Sequence, residues 1–537
     1  MKSAYHSYRL DFLLFIKTWG VGFLAAGFSF FLLYLSQPPG DFPEAAYFFV
    51  LPFLIWFYYK PKKTVVICAV TLGGFLYHVL LIGWMRHVSF PGMALSSIIL
   101  TFYNLPWFFV AYRWINSVLN SRFSIRLLSI SGLSSLWVLI EWARSLFSLG
   151  FPWCPLSVTQ WERPAILQLV PYFGGWIVSF FLIFFNLCLA SYLHHLLVRR
   201  RSGSSSSYFS SLCPEFYVCM CFFLVMLSPL FLKSTAANIH DKAKIRIGIC
   251  QPYLKNKWSP ENISDHKNTL IKQTTILASL SPDLIVWPEA STPYPVNLDR
   301  LWIEKLSQDI EIPILAGAII REEELSYNAV VMIDPSSGLV EEWYAKQILV
   351  PFGEYVPLPF SLIPGVTRMV GPVGSFTSGQ GFHSFKASGD DNRSFNIFSL
   401  VCYEDIFPGL ARKIQADSHA FVFVTTNDAW FGEEGCAEQH AAHSVIRALE
   451  CGMPILRCGN SGWSGWISEK GAVREYLVNE EDSVYFQGAS VVELQVGKRL
   501  KTVYSEKGDY FIALCLIFVI LSAITFRINN IQSVRKS

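Results

Sequence analysis

Apolar and polar positions divide the chain into two halves. Up to about residue 233, nearly unbroken apolar runs recur at close to the 20 residues that an α-helix needs to cross a bilayer core of about 30 Å. Seven are readable, at Thr18 to Leu35, Ala45 to Tyr59, Thr64 to Trp84, Gly92 to Trp114, Leu127 to Leu149, Gly174 to Leu197 and Phe216 to Leu232, with an eighth at Tyr510 to Phe526. The second is short and contains Pro52. The first leaves through LSQPPG, which has no small-x-small cleavage site, so it is expected to stay attached. From Lys244 the texture changes to short β-branched runs separated by helical stretches. Ile245 to Gln251, Asp283 to Glu289, Ile312 to Ile320, Ala329 to Asp334, Phe395 to Glu404 and Ala420 to Asp428 read as strands. Ile263 to Leu280, Leu301 to Ile310, Ile406 to Ala416 and Ala437 to Gly452 read as helices. The expected organisation is a seven-helix transmembrane domain over 1–233, a globular α/β domain over 234–509, and a final transmembrane helix with its tail over 510–537.

Composition sharpens the division. The chain is 52% hydrophobic and only 15% charged, against about 25% charged for an ordinary soluble protein. Residues 1–233 hold 16 Lys and Arg and 6 Asp and Glu, which leaves 27 and 34 for the rest. An acidic globular half gives nucleic acid no basic face. The twelve cysteines show no CxxC or Cys/His spacing, so neither a disulfide framework nor a metal site is signalled. No GxGxxG or Walker loop supports nucleotide binding. The run Ser202 to Ser211 reads as a flexible linker.

Charge placement predicts orientation, because Lys and Arg in short connections resist translocation. Fifteen of them (Lys2, Arg9, Lys17, Lys60, Lys62, Lys63, Arg113, Arg122, Arg126, Arg199 to Arg201, Arg527, Arg535 and Lys536) fall on one side, and three (Arg86, Arg144 and Arg163) on the other. Both termini are then cytoplasmic and residues 234–509 extracytoplasmic. Glu141 and Arg144 lie one helical turn apart near the outer end of the fifth span, where they can pair.

Candidate chemistry sits where strands end. Glu289 closes DLIVWPE at the edge where α/β folds build sites. Lys346 comes after a strand-like run, and Glu354 stands eight residues on, in a Pro- and Gly-shaped loop. Cys402 ends an apolar strand just before a stretch read as helix, a placement expected to aim a helix N-terminus at the thiol and lower its pKa. Taken singly, a surface Lys or a core Cys is the ordinary outcome. Together the three supply a base, a cation for an oxyanion and a nucleophile, the parts of covalent acyl transfer.

Glu, Lys and Cys in these contexts resemble the nitrilase superfamily, and the whole chain is similar to the bacterial apolipoprotein N-acyltransferases. The pieces that carry the resemblance are FPW at Phe151 to Trp153, KW at Lys257 and Trp258, WPEA at Trp287 to Ala290, and YN at Tyr327 and Asn328. To these add KQILVPFGE from Lys346 to Glu354, CYE at Cys402 to Glu404, TNDAWFG at Thr426 to Gly432, and RALE at Arg447 to Glu450. The chain departs from the pattern at Cys458 to Trp466 and at Glu433 to His440.

The resemblance implies an αββα sandwich beside about eight transmembrane helices. It also implies Glu289 as general base, Lys346 as oxyanion stabiliser, Cys402 as nucleophile and Glu354 as a further carboxylate, with Tyr403 and Glu404 shaping the site behind the nucleophile. Trp258, Asn328, Trp430 and Trp153 are carried over as substrate-binding positions. The implied reaction takes an acyl chain from a membrane phospholipid as a Cys402 thioester and passes it to the N-terminal amine of a diacylglyceryl-cysteine lipoprotein. The enzyme is expected to be a monomer of the bacterial inner membrane, with its catalytic domain periplasmic and with no cofactor. Trp287, Trp343, Phe352 and Trp430 are candidates for an apolar, water-excluding entrance, with core packing as the alternative for each. Two other readings stand beside this one: a membrane-tethered amidase acting on a small substrate, and a receptor or transporter whose ectodomain is inactive.

Overall fold

The computed structural model describes residues 2–40, 42–118, 121–146, 150–202, 213–231, 242–254, 260–358, 360–362, 375–389, 393–416 and 418–536. Trp258 and most of the serine-rich run lie outside them. The chain forms two compact units, one of residues 1–160, 165–232 and 509–537, the other of 161–164 and 233–508.

The first unit is helical. Among the described residues, six helices are long and apolar enough to cross a membrane: Thr18–Ser36, Lys63–Leu81, Phe90–Val118, Phe123–Leu146, Trp176–Leu197 and Tyr510–Asn529. Shorter apolar helices, Pro43–Phe57 and Pro214–Ser228, occupy the second and seventh apolar runs. Aromatic rings fill the helix interfaces, as in the Phe53–Phe108 pair at 4.8 Å and the edge-on Trp107–Trp137 pair at 5.3 Å. Gly132 lets helix Tyr510–Lys536 come close, since any side chain there would meet Ser522, whose hydroxyl donates to the Leu128 carbonyl at 2.7 Å. Glu141 is buried, and its Oε1 accepts from Trp137 Nε1 at 2.8 Å and the Leu156 amide at 2.7 Å, so it ties the helix to the turn beyond its end. Trp153 is buried in this unit, stacked on Phe151 at 5.6 Å and tilted against Trp84 at 5.1 Å.

The second unit is a four-layer sandwich. One sheet has strands β1 (Ala243–Gln251), β2 (Leu284–Trp287), β3 (Ile314–Glu322), β4 (Leu325–Asp334), β5 (Gly338–Leu339), β6 (Tyr344–Ala345) and β13 (Gly488–Val496), in the order β13-β1-β2-β3-β4-β5, with β6 also paired to β4. The other has β7 (Ser384–Ser388), β8 (Ser394–Val401), β9 (Ala420–Thr426), β10 (Ile455–Gly459), β11 (Gly465–Ile467) and β12 (Val473–Tyr476), in the order β12-β11-β10-β9-β8-β7. Each sheet has a parallel centre, β1-β2-β3 in one and β8-β9-β10 in the other, flanked by antiparallel pairs. The sheets share a core of Ile245, Ile247, Val286, Val330, Ile397, Val401, Phe421 and Leu456. Helices Ile263–Ala278 and Leu301–Ile310 pack on the outer face of the first sheet through Leu270, Leu277, Ile303 and Leu306, and helix Cys436–Cys451 packs against the second. Burial on both faces explains why the central strands read as unbroken apolar runs.

Two expectations need correction. The helix read at Ile406 to Ala416 is one turn, Pro408–Ala411. Pro408 disfavours helical geometry in the residue before it, and Phe407 is extended, with φ −96° and ψ 106°. Trp287 is no entrance residue: it is fully buried, donates to Thr274 Oγ1 at 3.0 Å and stacks on Trp302.

Candidate active site

Four chain segments bring the predicted residues together. Glu289 stands two residues beyond β2, and its amide reaches the Thr426 carbonyl at the end of β9 at 3.4 Å. The sheets come this close because position 317 is glycine. A Cβ there would lie 2.5 Å from the Pro288 carbonyl oxygen, 2.6 Å from Thr425 Oγ1 and 2.7 Å from Glu289 Cα. Asn328 lies on β4, and Lys346 comes directly after β6, its amide bonded to the Asn328 carbonyl at 2.8 Å. Glu354 sits in the loop after Lys346, and Cys402 is the first residue past β8.

The side chains converge. Lys346 Nζ is 2.9 Å from Glu354 Oε1 and 3.6 Å from Glu289 Oε1. Asn328 Nδ2 donates to Glu289 Oε1 at 2.7 Å and to Glu354 Oε1 at 2.9 Å. Glu354 Oε2 accepts from the Val350 amide at 2.8 Å. Lys346, Asn328, Glu289 and Glu354 are all buried and Cys402 is half-buried. Lys346 is therefore no surface charge at the edge of the site but a wholly enclosed cation. Burial pulls its pKa down, yet Glu354, Glu289 and Cys402 outweigh that and hold the ammonium well above its usual range.

The thiol departs from expectation. Burial and then the Glu289 charge push Cys402 well above the ordinary thiol range, with Lys346 opposing. Cys402 opens a five-residue 3-10 turn, Cys402–Ile406, rather than a helix, and this turn is too short to supply the expected dipole. Attack by Cys402 would therefore start from a thiol and need a base. Glu289 is the carboxylate that acts on it most strongly.

Backbone strain marks the same three loops. Ala290 (φ 44°), Phe352 (φ 62°) and Cys402 (φ 51°) are all left-handed non-glycine residues. Such conformations cost on the order of 1–3 kcal/mol each and persist where surrounding structure over-determines them.

Glu404 supplies part of that determination. Its Oε2 accepts from the Val401 amide at 2.7 Å and the Tyr344 hydroxyl at 2.9 Å, while Oε1 accepts from the amides of Gln347 at 2.6 Å and Ile348 at 3.1 Å. One fully buried carboxylate thereby braces the loop carrying Lys346 against the turn carrying Cys402. Burial lifts it to about 7, against the pull of the Val401 amide, Lys346 and the other two amides. Tyr403 is buried with its ring edge-on to Phe407 at 5.0 Å, and burial raises its hydroxyl pKa.

Of the other positions singled out, Asn328 is at the centre of the cluster, holding two carboxylates. Trp430 is 44% exposed, in the turn Asp428–Phe431. Trp343 packs on Tyr327 and Phe352 on Phe360. Sequence reasoning passed over Asp405, Asp428, His440 and Arg457, which form a buried polar group behind Cys402. Two histidines one turn apart, His440 and His443, within a stretch read as helix were the signal available for it.

Residues 11–188 match the family described as apolipoprotein N-acyltransferase N-terminal domain, and residues 246–512 match carbon-nitrogen hydrolase. The chain is similar to an apolipoprotein N-acyltransferase of Geobacter metallireducens, 26% identical over 409 residues and covering 74% of each chain. It is similar to another of Azotobacter vinelandii, 28% identical over 397 residues and 71% of each. To an apolipoprotein N-acyltransferase 2 of Treponema pallidum it is 24% identical over 529 residues, covering 90% of each.

Proposed function

Because the chain belongs to the apolipoprotein N-acyltransferase family, we propose that it moves a fatty acyl chain from a membrane phospholipid to the N-terminal amine of a diacylglyceryl-cysteine lipoprotein, through a thioester on Cys402. The observation that carries this reading is the gathering of Glu289, Lys346 and Cys402 in one enclosed cluster, where a raised thiol pKa calls for a neighbouring base.

The steps derive from the side chains. Glu289 accepts the Cys402 proton as sulfur attacks the ester carbonyl of the lipid, and Lys346 donates a hydrogen bond to the oxyanion. When the tetrahedral adduct collapses, the ester C–O bond breaks and Glu289 returns its proton to the departing lysolipid oxygen. In the second half the lipoprotein amine attacks the thioester, Glu289 takes a proton from nitrogen, and as the C–S bond breaks Glu289 passes that proton to the departing sulfur, restoring the Cys402 thiol and the carboxylate. Glu354 and Asn328 orient Lys346 and Glu289. The reaction asks for no metal or cofactor. Both substrates are lipids or lipid-anchored, which accounts for a catalytic domain over 234–509 carried on the membrane by spans on either side, 1–233 before it and 510–537 after it. From the distribution of Lys and Arg we place both termini in the cytoplasm and the catalytic domain in the periplasm, and from the family we take the enzyme to be a monomer of the inner membrane.

The test uses full-length protein in detergent. With phospholipid alone, Cys402 should accumulate a hydroxylamine-sensitive acyl group, seen by mass spectrometry of its peptide. A diacylated lipopeptide with a free N-terminal amine should discharge it, and the same lipopeptide with an acetylated terminus should not. Discharge at equal rate without any amine would refute the acyltransferase reading in favour of a hydrolase.

A further inference from the structure

Acyl transfer by Glu289, Lys346 and Cys402 leaves unused the polar cluster behind the nucleophile. His440 is buried within helix Cys436–Cys451. Its Nδ1 lies 3.1 Å from Asp428 Oδ1, while its Nε2 lies 3.1 Å from the Cys402 carbonyl oxygen and 2.8 Å from Asp405 Oδ1. A carbonyl, and a carboxylate when ionised, only accept. A ring with such a group at each nitrogen carries a hydrogen on each, and is then a cation. Asp405 is kept ionised by Arg457 Nη1, which contacts Oδ2, and by Ser444 Oγ, which donates to it at 2.5 Å.

The thiol of Cys402 belongs to the same group, since its sulfur, an Asp428 carboxylate oxygen and a His440 ring nitrogen all lie within 4.8 Å of one another. These are metal-ligating residue types, but a ring that donates from both nitrogens has no lone pair to offer. The cluster is better read as a balance of charge. Asp428 stands beside the sulfur, where its charge opposes thiolate formation. His440 sits between that carboxylate and the main chain of the nucleophile.

We propose that His440 is a positioning residue for the nucleophile, fixing the carbonyl of Cys402 in its left-handed backbone conformation and offsetting the charge of Asp428 beside the thiol. The proposal rests on Cys402 being the nucleophile. Every charged group facing the ring is consistent with it: Asp405 from the turn after β8, Asp428 from the turn after β9, and Arg457 from β10, whose charge Asp405 absorbs. His443, one turn along the same helix, is pushed down to about 3 by burial, so it adds no second cation. For His440 burial is outweighed by Asp405 and Asp428, and the ring is raised to about 9 despite Arg457.

The test is the rate of Cys402 alkylation by iodoacetamide in the full-length protein, read on the Cys402 peptide at one pH below the midpoint of thiol ionisation. It uses neither acyl donor nor acceptor, so its outcome is separate from that of the lipid reading. His440→Gln should slow alkylation about tenfold, a displacement of about one pH unit in the thiol. Asp428→Asn should speed it, and the double variant should return near the parent rate. Should His440→Gln fail to fold, Asp428→Asn alone decides. An unchanged or faster rate in His440→Gln, or an unchanged or slower one in Asp428→Asn, would overturn the proposal.

Discussion

Glu289 and Glu354 face one amide: Asn328 Nδ2 donates to Oε1 of each, at 2.7 and 2.9 Å, and Lys346 Nζ reaches the same two oxygens at 3.6 and 2.9 Å. Two buried carboxylates this close repel unless compensated, and here an ammonium and an amide share the task. The geometry is unequal. Lys346 leans to Glu354, whose other oxygen is occupied by the Val350 amide, so Glu354 anchors the cation. Glu289 is in looser contact with it, at 3.6 Å.

Asn328→Leu tests that sharing. Leu keeps the branched shape and heavy-atom count of Asn, but both hydrogen bonds vanish and two carboxylates lose a donor. Leaving buried acceptors unsatisfied costs about 1–3 kcal/mol, and loss of orientation at Glu289 should lower kcat by about 10²-fold. Asn328→Asp should be worse, because it adds a third carboxylate to the cluster. Single-turnover acylation of Cys402, measured at saturating lipid, separates this from weaker lipid binding.

Lys346→Met removes the cation altogether. Loss of one oxyanion stabiliser typically costs about 10² to 10³ in rate. Since Lys346 is 1% exposed and lies between two carboxylates, the variant should also raise the pH at which the site loses its protons and lower the melting temperature. Lys346→Met/Glu354→Gln should recover much of the stability and none of the rate. A single variant with parent activity would mean that the oxyanion is held elsewhere.

Parts of this site were legible from the chain and parts were not, for physical reasons. Central strands bury both faces, so β2, β8 and β9 announce themselves as apolar runs, and Glu289 and Cys402, which follow the first two, are conspicuous in sequence. Edge strands are mixed in character. The run VREY of β12 is largely exposed and β13 alternates, and neither stands out as a strand in the sequence. The thiol's pKa runs opposite to the sequence expectation because that expectation carries a helix through Pro408. It is enclosure and a facing carboxylate, neither visible in a local pattern, that set the direction. The family resemblance implies that Glu404 shapes the site, but its bracing of two distant loops depends on the Gln347 and Ile348 amides, which only the fold brings to it.

Topology offers an independent test. The excess of Lys and Arg on one side, fifteen against three, predicts where each loop resides. A reporter active only outside the cytoplasm should be active when fused after Ser234 and silent when fused after Arg201. The reverse pattern would defeat the placement of the catalytic domain, and with it the access to outer-leaflet lipid and translocated lipoprotein that the proposed reaction needs.

His440 gives the last prediction, on stability rather than rate. Its pKa is raised to about 9 in the folded chain, against about 6.5 for an unperturbed imidazole. The folded state therefore holds a proton that the unfolded state has given up between these values, and stability falls as pH rises through that window. The stabilisation is fully present below about pH 6.5, is on the order of 3 kcal/mol, and is gone above about 9. His440→Gln cannot take the proton. The melting temperature of the parent minus that of the variant should be greatest at about pH 6 and shrink steadily towards about pH 10, while groups common to both cancel in the difference. Asp405, drawn below the usual carboxylate range by His440 and Arg457 against the effect of burial, stays ionised throughout and does not distort the comparison. A difference that is flat across the window would mean that the ring is not protonated between Asp405 and Asp428, and one that grows with pH would mean that it is buried neutral.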